Sequence, residues 1–167
     1  AMAMANEPDL LIADEPTTAL DVTIQAQVMR VLAEVRRRTG AAMVLITHDL
    51  GLVAETAERM AVMYGGRMME QAPAHALFND PAHPYTAGLI ASLPRVDREV
   101  RELFSIPGFV PDSAHRPGGC VFHPRCGLAN DRAICRERRP EVAATSPGRS
   151  AACHFTDETA PWRAAQE

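Results

Sequence analysis

Two short apolar runs, each ending abruptly in polar residues and separated by a helical pattern, constrain this chain more than any other feature. Leu10-Leu11-Ile12-Ala13 runs into the carboxylates of Asp14 and Glu15. Pro16 then stops the strand, since it has no N–H for a ladder and fixes its own φ. Ala42 to Thr47 is a second apolar run without alternation, which predicts a strand buried on both faces. It ends in His48-Asp49. Between the runs, Ile24, Val28, Val31, Leu32 and Val35 fall on one helical stripe. Asp21 is placed to cap that helix, and Gly40 follows its basic last turn, Arg36-Arg37-Arg38. Strand, helix and strand make a βαβ unit with a right-handed crossover. Both strands deliver polar groups to one edge of a parallel sheet, a common place for phosphate chemistry. One carboxylate there can help hold Mg²⁺ while its neighbour orients a water. The plainer alternative is a strand that ends in a solvated acidic turn.

The chain has 167 residues, 47% of them apolar, which suits one compact domain or one and a half. A formal charge of −4 argues against a nucleic-acid protein held by phosphate contacts. All 17 basic residues are Arg. Without a Lys there is no GxxxxGK segment to cradle phosphates as a P-loop does. No apolar run approaches the ~20 residues that span a bilayer, and Ala1 to Ala5 lacks the basic start of a signal peptide. The expected compartment is cytoplasmic. The four Cys are then ligands or free thiols rather than disulfides.

Ala1 to Asn6 reads as the tail of a helix, and Glu7-Pro8-Asp9 as a turn. Asp49 can cap a short helix through about Ala57. Arg59 to Tyr64 and Arg67 to Gln71 read as a hairpin about Gly65-Gly66. Ala74 to Asn79 is a short helix. His83 to Pro94 is another, with Pro84 in its first turn and Leu89, Ile90 and Leu93 on one face. Arg95 to Phe104 suggests a further helix, and Ile106 to Pro111 a linker. The residues after Phe155 are polar and are expected to fray.

LLIADEP followed by TTALD resembles the Walker B motif and D-loop of ATP-binding-cassette (ABC) ATPases. The resemblance implies that Asp14 serves Mg-ATP and that Glu15 is the catalytic glutamate on the attacking water. It also implies that Asp21 belongs to the D-loop, which reaches toward a second ATPase domain. His48, in THDL, matches the switch histidine at the γ-phosphate. MYGGRMMEQAP resembles the end of an ABC ATPase domain. HPYTAGLIASLP and TTALDVTIQAQ resemble the ATPase subunits of oligopeptide and dipeptide ABC importers. In that family the P-loop, Q-loop and LSGGQ signature lie upstream, so the chain is expected to be the C-terminal half of such a subunit, inactive in isolation.

The implied fold is α/β: the C-terminal part of a P-loop NTPase parallel sheet, followed by a small helix-and-loop Cys-rich extension. The expected divisions are 1–72 for the ATPase portion, 73–111 for the importer extension and linker, 112–155 for the Cys-rich segment and 156–167 for a flexible tail. The implied activity is ATP hydrolysis that energises peptide uptake. Implied partners are membrane permease subunits, a second ATPase subunit and, indirectly, a periplasmic or extracellular solute-binding protein, with no nucleic acid. The place is the cytoplasmic face of the membrane. Two rivals remain: a soluble ABC ATPase without a permease, and a metal-binding interaction module without catalysis.

Cys120, Cys126, Cys135 and Cys153 lie at intervals of five, eight and seventeen residues, with none elsewhere. A Zn²⁺ site usually carries a C-x2–4-C pair, which is absent. Free thiols are the plain alternative. An iron–sulfur cluster needs four converging thiolates and backbone N–H groups near the sulfurs, which Gly118-Gly119 and the Pro-rich loops suit. The C-x5-C spacing around FHPR also resembles the importer family, where this extension can hold a [4Fe-4S] cluster. His123 and His154 are neighbours that could substitute as ligands or simply sit in exposed loops.

Overall fold

A computed structural model describes residues 4, 6–94, 104–112, 114–130 and 132–159. The chain separates into two compact units, residues 1–51 and 52–167. In the first, β1 (Leu10–Asp14) and β2 (Ala42–Ile46) pair in parallel, from Leu10 opposite Ala42 to Asp14 opposite Ile46. The crossover is α1 (Val22–Thr39). Asp21 is extended and its Oδ1 accepts from the Ile24 N–H at 2.9 Å, which satisfies one of the orphan donors of the first turn. Gly40 closes the helix at φ 72°, its N–H donating to the Arg36 carbonyl.

Leu11, Ala13, Met29 and Ala41 are buried in this unit, whereas the alternate residues Leu10, Ile12, Val44 and Ile46 are exposed, Ile12 to 61%. The expectation that Ala42 to Thr47 is a strand buried on both faces is therefore corrected: Met43 and Leu45 are half-buried, and Ala42, Val44 and Ile46 are exposed. An unbroken apolar run says that both faces are greasy, not that both are packed.

The second unit begins within α2 (Leu50–Thr56). Next, β3 (Arg59–Tyr64) and β4 (Arg67–Pro73) form the expected hairpin. Gly65 and Gly66 sit at φ 54° and 71°, the left-handed pair that a two-residue turn of matching twist requires. Helices α3 (Ala74–Asn79), α4 (Pro84–Ala91) and α5 (Ala133–Glu137) follow. Two strands come last, β5 (Ala143–Ser146) and β6 (Arg149–Ala151). They extend the hairpin into an antiparallel sheet of order β3-β4-β6-β5. The Cys-rich extension is thus not only helix and loop. Its strands are short, Ala- and Ser-rich and exposed along β5, so no alternating apolar pattern announces them.

Leu77 and Ala72 are fully buried with Val62 and Ile90 beneath α3 and α4. A second cluster joins Tyr64 and Met69 of the hairpin to Cys120, Val121 and Phe122. The Phe122 ring lies 5.2 Å from Tyr64 edge-on and 5.2 Å from Tyr85. Burying one such side chain stabilises by roughly 1.5–3 kcal/mol. Arg125 straps the linker down: its Nε donates to the Pro107 carbonyl at 2.8 Å and its Nη2 to the Ile106 carbonyl at 3.0 Å. Thr156–Glu158 form a 3-10 turn, and buried Thr159 donates to the Ala82 carbonyl at 3.1 Å. The helix expected over 95–104 and the tail beyond 159 fall outside the described residues, Phe104 apart. Among the described residues, no helix is long and apolar enough to cross a membrane.

Candidate functional site

The register of β1 on β2 builds the acidic edge of the first unit. Asp14 lies opposite Ile46, and the next N–H, that of Glu15, donates to the Ile46 carbonyl at 2.8 Å. Glu15 takes φ 44°, a left-handed turn that ends the strand before Pro16 and redirects the side chain. His48 emerges two residues after Ile46, and its Nδ1 lies 3.2 Å from Glu15 Oε1. The other carboxylate oxygen accepts from the Thr18 hydroxyl at 2.5 Å. Thr18 first, and His48 after it, hold the Glu15 carboxyl below the usual glutamate range.

Both members of the His48–Glu15 pair are exposed, so the contact orients groups more than it stabilises the unit. Asp14 is exposed beside them, and Asp21 is engaged as the cap of α1. Gln25 donates from that helix to Asp49 at 3.0 Å. Thr18 was not singled out by sequence; its position three residues after the acid, within a turn, is the signal that finds it.

In the second unit the His83-Pro84-Tyr85 segment has a local explanation. Glu70 on β4 is buried and accepts from the N–H groups of Ala82 at 2.7 Å and His83 at 3.1 Å, which fixes the entry to α4. Burial pushes the Glu70 carboxyl up, against the pull of those N–H groups and of Arg149. His83 Nδ1 accepts from the Tyr85 N–H at 3.0 Å and so caps α4, while Pro84 occupies its first turn. His83 is buried, and burial drives its pKa down to about 4, with the nearby Ala152 carbonyl acting the other way. No sequence signal marks Glu70, a charge in a short strand.

All four cysteines line one cavity, together with His83, Phe122, His123 and His154. The Cys120 N–H donates to the Cys135 carbonyl at 2.9 Å, which draws the Cys120 loop to α5. Gly119 at φ 64° allows it, because a Cβ there would meet the backbone of Cys135 and Arg136. Backbone N–H groups attend the sulfurs: Phe122 and His123 at Cys120, Leu128 and Ala129 at Cys126, Phe155 at Cys153. The last is 3.4 Å from its sulfur.

Burial raises all four thiols, Cys126 to about 11 and Cys153 to about 12; neighbouring cysteines add to it at Cys120, Cys126 and Cys153, while Arg132 acts the other way at Cys135. The free space between the lining groups is about 20 Å³, room for one water. Among the described residues, no three or more His, Cys, Asp or Glu side chains gather closely enough to hold a single metal ion. His123 Nδ1 pairs with the Cys120 carbonyl at 2.9 Å, and His154 Nε2 with the Arg138 carbonyl at 2.9 Å.

Residues 69–135 match the family described as "Oligopeptide/dipeptide transporter, C-terminal region". The chain is 50% identical over 155 residues to the dipeptide transport ATP-binding protein DppD of Escherichia coli (strain K12), a match covering 93% of this chain and 47% of that protein. It is 51% identical over 160 residues to a probable peptide ABC transporter ATP-binding protein, y4tR, of Sinorhizobium fredii, covering 95% and 47%. Against the oligopeptide transport ATP-binding protein OppD of Salmonella typhimurium it is 50% identical over 153 residues, covering 92% and 45%. The chain spans about half the length of the curated relatives it matches. Over that half, the chain is similar to the ATP-binding subunits of peptide ABC transporters.

Proposed function

We propose that the chain forms part of an ATP-hydrolysing subunit that energises peptide uptake. In that reading it works on the cytoplasmic face of the membrane beneath permease subunits, beside a second ATPase subunit and, indirectly, with a solute-binding protein. The observation that carries the proposal is the 3.2 Å contact between His48 Nδ1 and Glu15 Oε1 at the end of two parallel strands, next to Asp14. Glu15 is the group that orients water for attack on the γ-phosphate. Thr18 and His48 keep it ionised and aimed, since each bonds one of its two oxygens. His48 stands where it can sense that phosphate. Asp14 is the carboxylate left for Mg²⁺, which neutralises developing charge on the phosphates when bound. One or two carboxylates suffice, because Mg²⁺ keeps waters and phosphate oxygens as its other ligands. Asp21, at the start of α1, lies in the segment assigned to the D-loop. Catalysis of this kind is positioning and electrostatics.

The test is Glu15→Gln in a polypeptide of the relatives' full length that carries this sequence. ATP should still bind and hydrolysis should fall by several orders of magnitude. Near-normal turnover would refute the role of Glu15. The 167-residue chain alone, which has no GxxxxGK segment, should show no steady turnover.

For the second unit we propose that Cys120, Cys126, Cys135 and Cys153 hold a [4Fe-4S] cluster. Support comes from their shared cavity and from the backbone N–H groups at three of the sulfurs, a usual setting for such clusters. Zn²⁺ is the rival ligand. Four thiolates at ~2.3 Å from one ion would need a tighter gathering than the described residues show. Protein prepared without oxygen should be brown, absorb near ~400 nm and contain iron and sulfide in similar amounts. Stoichiometric zinc without iron would replace this reading by the zinc one.

A further inference from the structure

Three arginines from separate parts of the chain line one cavity of the second unit. Arg67 opens β4, Arg116 precedes the Cys120 loop and Arg139 follows α5. Arg67 is half-buried, and the other two are exposed. The cavity measures about 110 Å³, room for several waters or for one small oxyanion. Buried Met69, Val121 and Ala152 complete its wall, and no Asp or Glu is among its described lining residues.

Other arginines of this unit are spent on acceptors of their own. Arg59 donates to the Gly148 carbonyl and Arg125 to those of Ile106 and Pro107. Arg132 pairs with Glu158 and Arg149 with Asp80. Arg67, Arg116 and Arg139 have no such acceptor among the described residues. Arg116 is nonetheless placed: a Cβ on Gly66 would lie 3.0 Å from its Nη2, so the guanidinium rests against the hairpin turn.

Like charges gathered on an apolar wall repel one another and focus a positive field, and a bound anion removes that cost. The chain as a whole carries a formal charge of −4, so its net charge does not draw anions and the attraction is local. Each guanidinium is a planar fork that meets two oxygens at once. A carboxylate offers two oxygens and a single charge, which one arginine satisfies. A phosphate group offers at least three oxygens and, as a monoester, a charge of roughly −1.5 to −2 near neutral pH, which suits three. We propose that this cavity binds a phosphate group, as free phosphate or on the headgroup of a lipid.

The chain and its Arg67→Gln, Arg116→Gln, Arg139→Gln and Arg138→Gln variants are titrated with inorganic phosphate by equilibrium dialysis at fixed ionic strength, and the parent also with acetate. Losing one charge-assisted contact should weaken binding about tenfold or more at each of the three cavity positions. Arg138→Gln makes the same change in net charge beside Arg139 but outside the cavity, and should bind as the parent does. Hydrogen exchange of the parent locates the ligand whether or not a variant folds: phosphate should slow exchange around 116–121 and 139–142. Sedimentation with vesicles of phosphatidic acid in phosphatidylcholine, against phosphatidylcholine alone, names the source. Sedimentation lost in the three cavity variants and kept in Arg138→Gln assigns the lipid; phosphate binding without sedimentation assigns free phosphate. An equal loss in Arg138→Gln, acetate bound as tightly as phosphate, or protection only at the Asp14–His48 edge would overturn the site. So would a parent chain that binds neither phosphate nor the vesicles.

Discussion

Replacing Phe122 by Ala should remove the keystone of the second unit. The ring is 1% exposed and packs against three others, Tyr64 and Tyr85 at 5.2 Å and His83 at 5.9 Å. A buried Phe→Ala change costs about 3–5 kcal/mol through lost transfer and residual cavity. Each aromatic contact adds roughly 0.5–1.5 kcal/mol beyond area, which places this site toward the upper end, about 4–5 kcal/mol. That is much of the stability of an ordinary domain. Phe122→Leu keeps most of the volume and loses mainly the ring geometry, for about 1–2 kcal/mol. The assay is native-state hydrogen exchange by mass spectrometry, because a chain of two compact units need not unfold as one. Amides of β3, β4 and α4 should lose about three orders of magnitude of protection in the Ala variant, while those of β1, α1 and β2 keep theirs. A loss below about 1.5 kcal/mol, or an equal cost for Leu and Ala, would refute the account of Phe122 as the packed centre.

Gly119→Ala should disrupt the loop that draws Cys120 to Cys135, since its Cβ would press on the Arg136 carbonyl carbon at 2.6 Å from a left-handed φ of 64°. Thiol alkylation would show it, with Cys120 and Cys135 reacting far faster than in the parent. Gly40→Ala is the control: φ is 72° but nothing lies within 4 Å of the added carbon, so the cost should stay near ~1–2 kcal/mol and leave the thiols protected. At the acidic edge, the Glu15 carboxyl is held below its ordinary value of 4.5, chiefly by Thr18. A lowered folded pKa means that the favourable contact is fully present above the ordinary value and is lost as pH falls through the folded one. Carbon-detected titration of Glu15 should therefore find a midpoint below 4.5, and Thr18→Val should move it up. An unmoved midpoint in that variant would remove Thr18 from the account.

The βαβ unit was legible because its signals are local. Asp21 and Gly40 bound the helix by capping chemistry, and Pro16 ends the strand. The Gly65-Gly66 turn was equally plain, since only left-handed residues serve there. The meeting of Glu15 with His48 followed from a resemblance, while the register that brings them within 3.2 Å needed the structure. What stayed hidden depends on distant partners. Apolar residues of β1 and β2 do not say which face α1 covers. The strand β6 is specified by β4 rather than by its own Arg-Ser-Ala. Glu70 and His83 read as ordinary polar residues until the loop before α4 folds over them. The convergence of the four cysteines likewise depends on a sheet that no periodicity announced.

That sheet also sets an order of events. Pairing β4 with β6 places Glu70 beside Ala151 and closes a loop of roughly eighty residues, with a closure entropy of about 4 kcal/mol. The link from Cys120 to Cys135 spans fifteen residues and costs about 2.4 kcal/mol on the same scale. Two of the other thiols, Cys120 and Cys126, sit on short loops and the third, Cys135, on the short helix α5, all close in sequence. The fourth, Cys153, rides two residues beyond β6 and arrives only when the long loop closes. During synthesis the three are also made before the strand that brings the last one. Closure of the sheet is therefore the step that brings the fourth thiol to the other three.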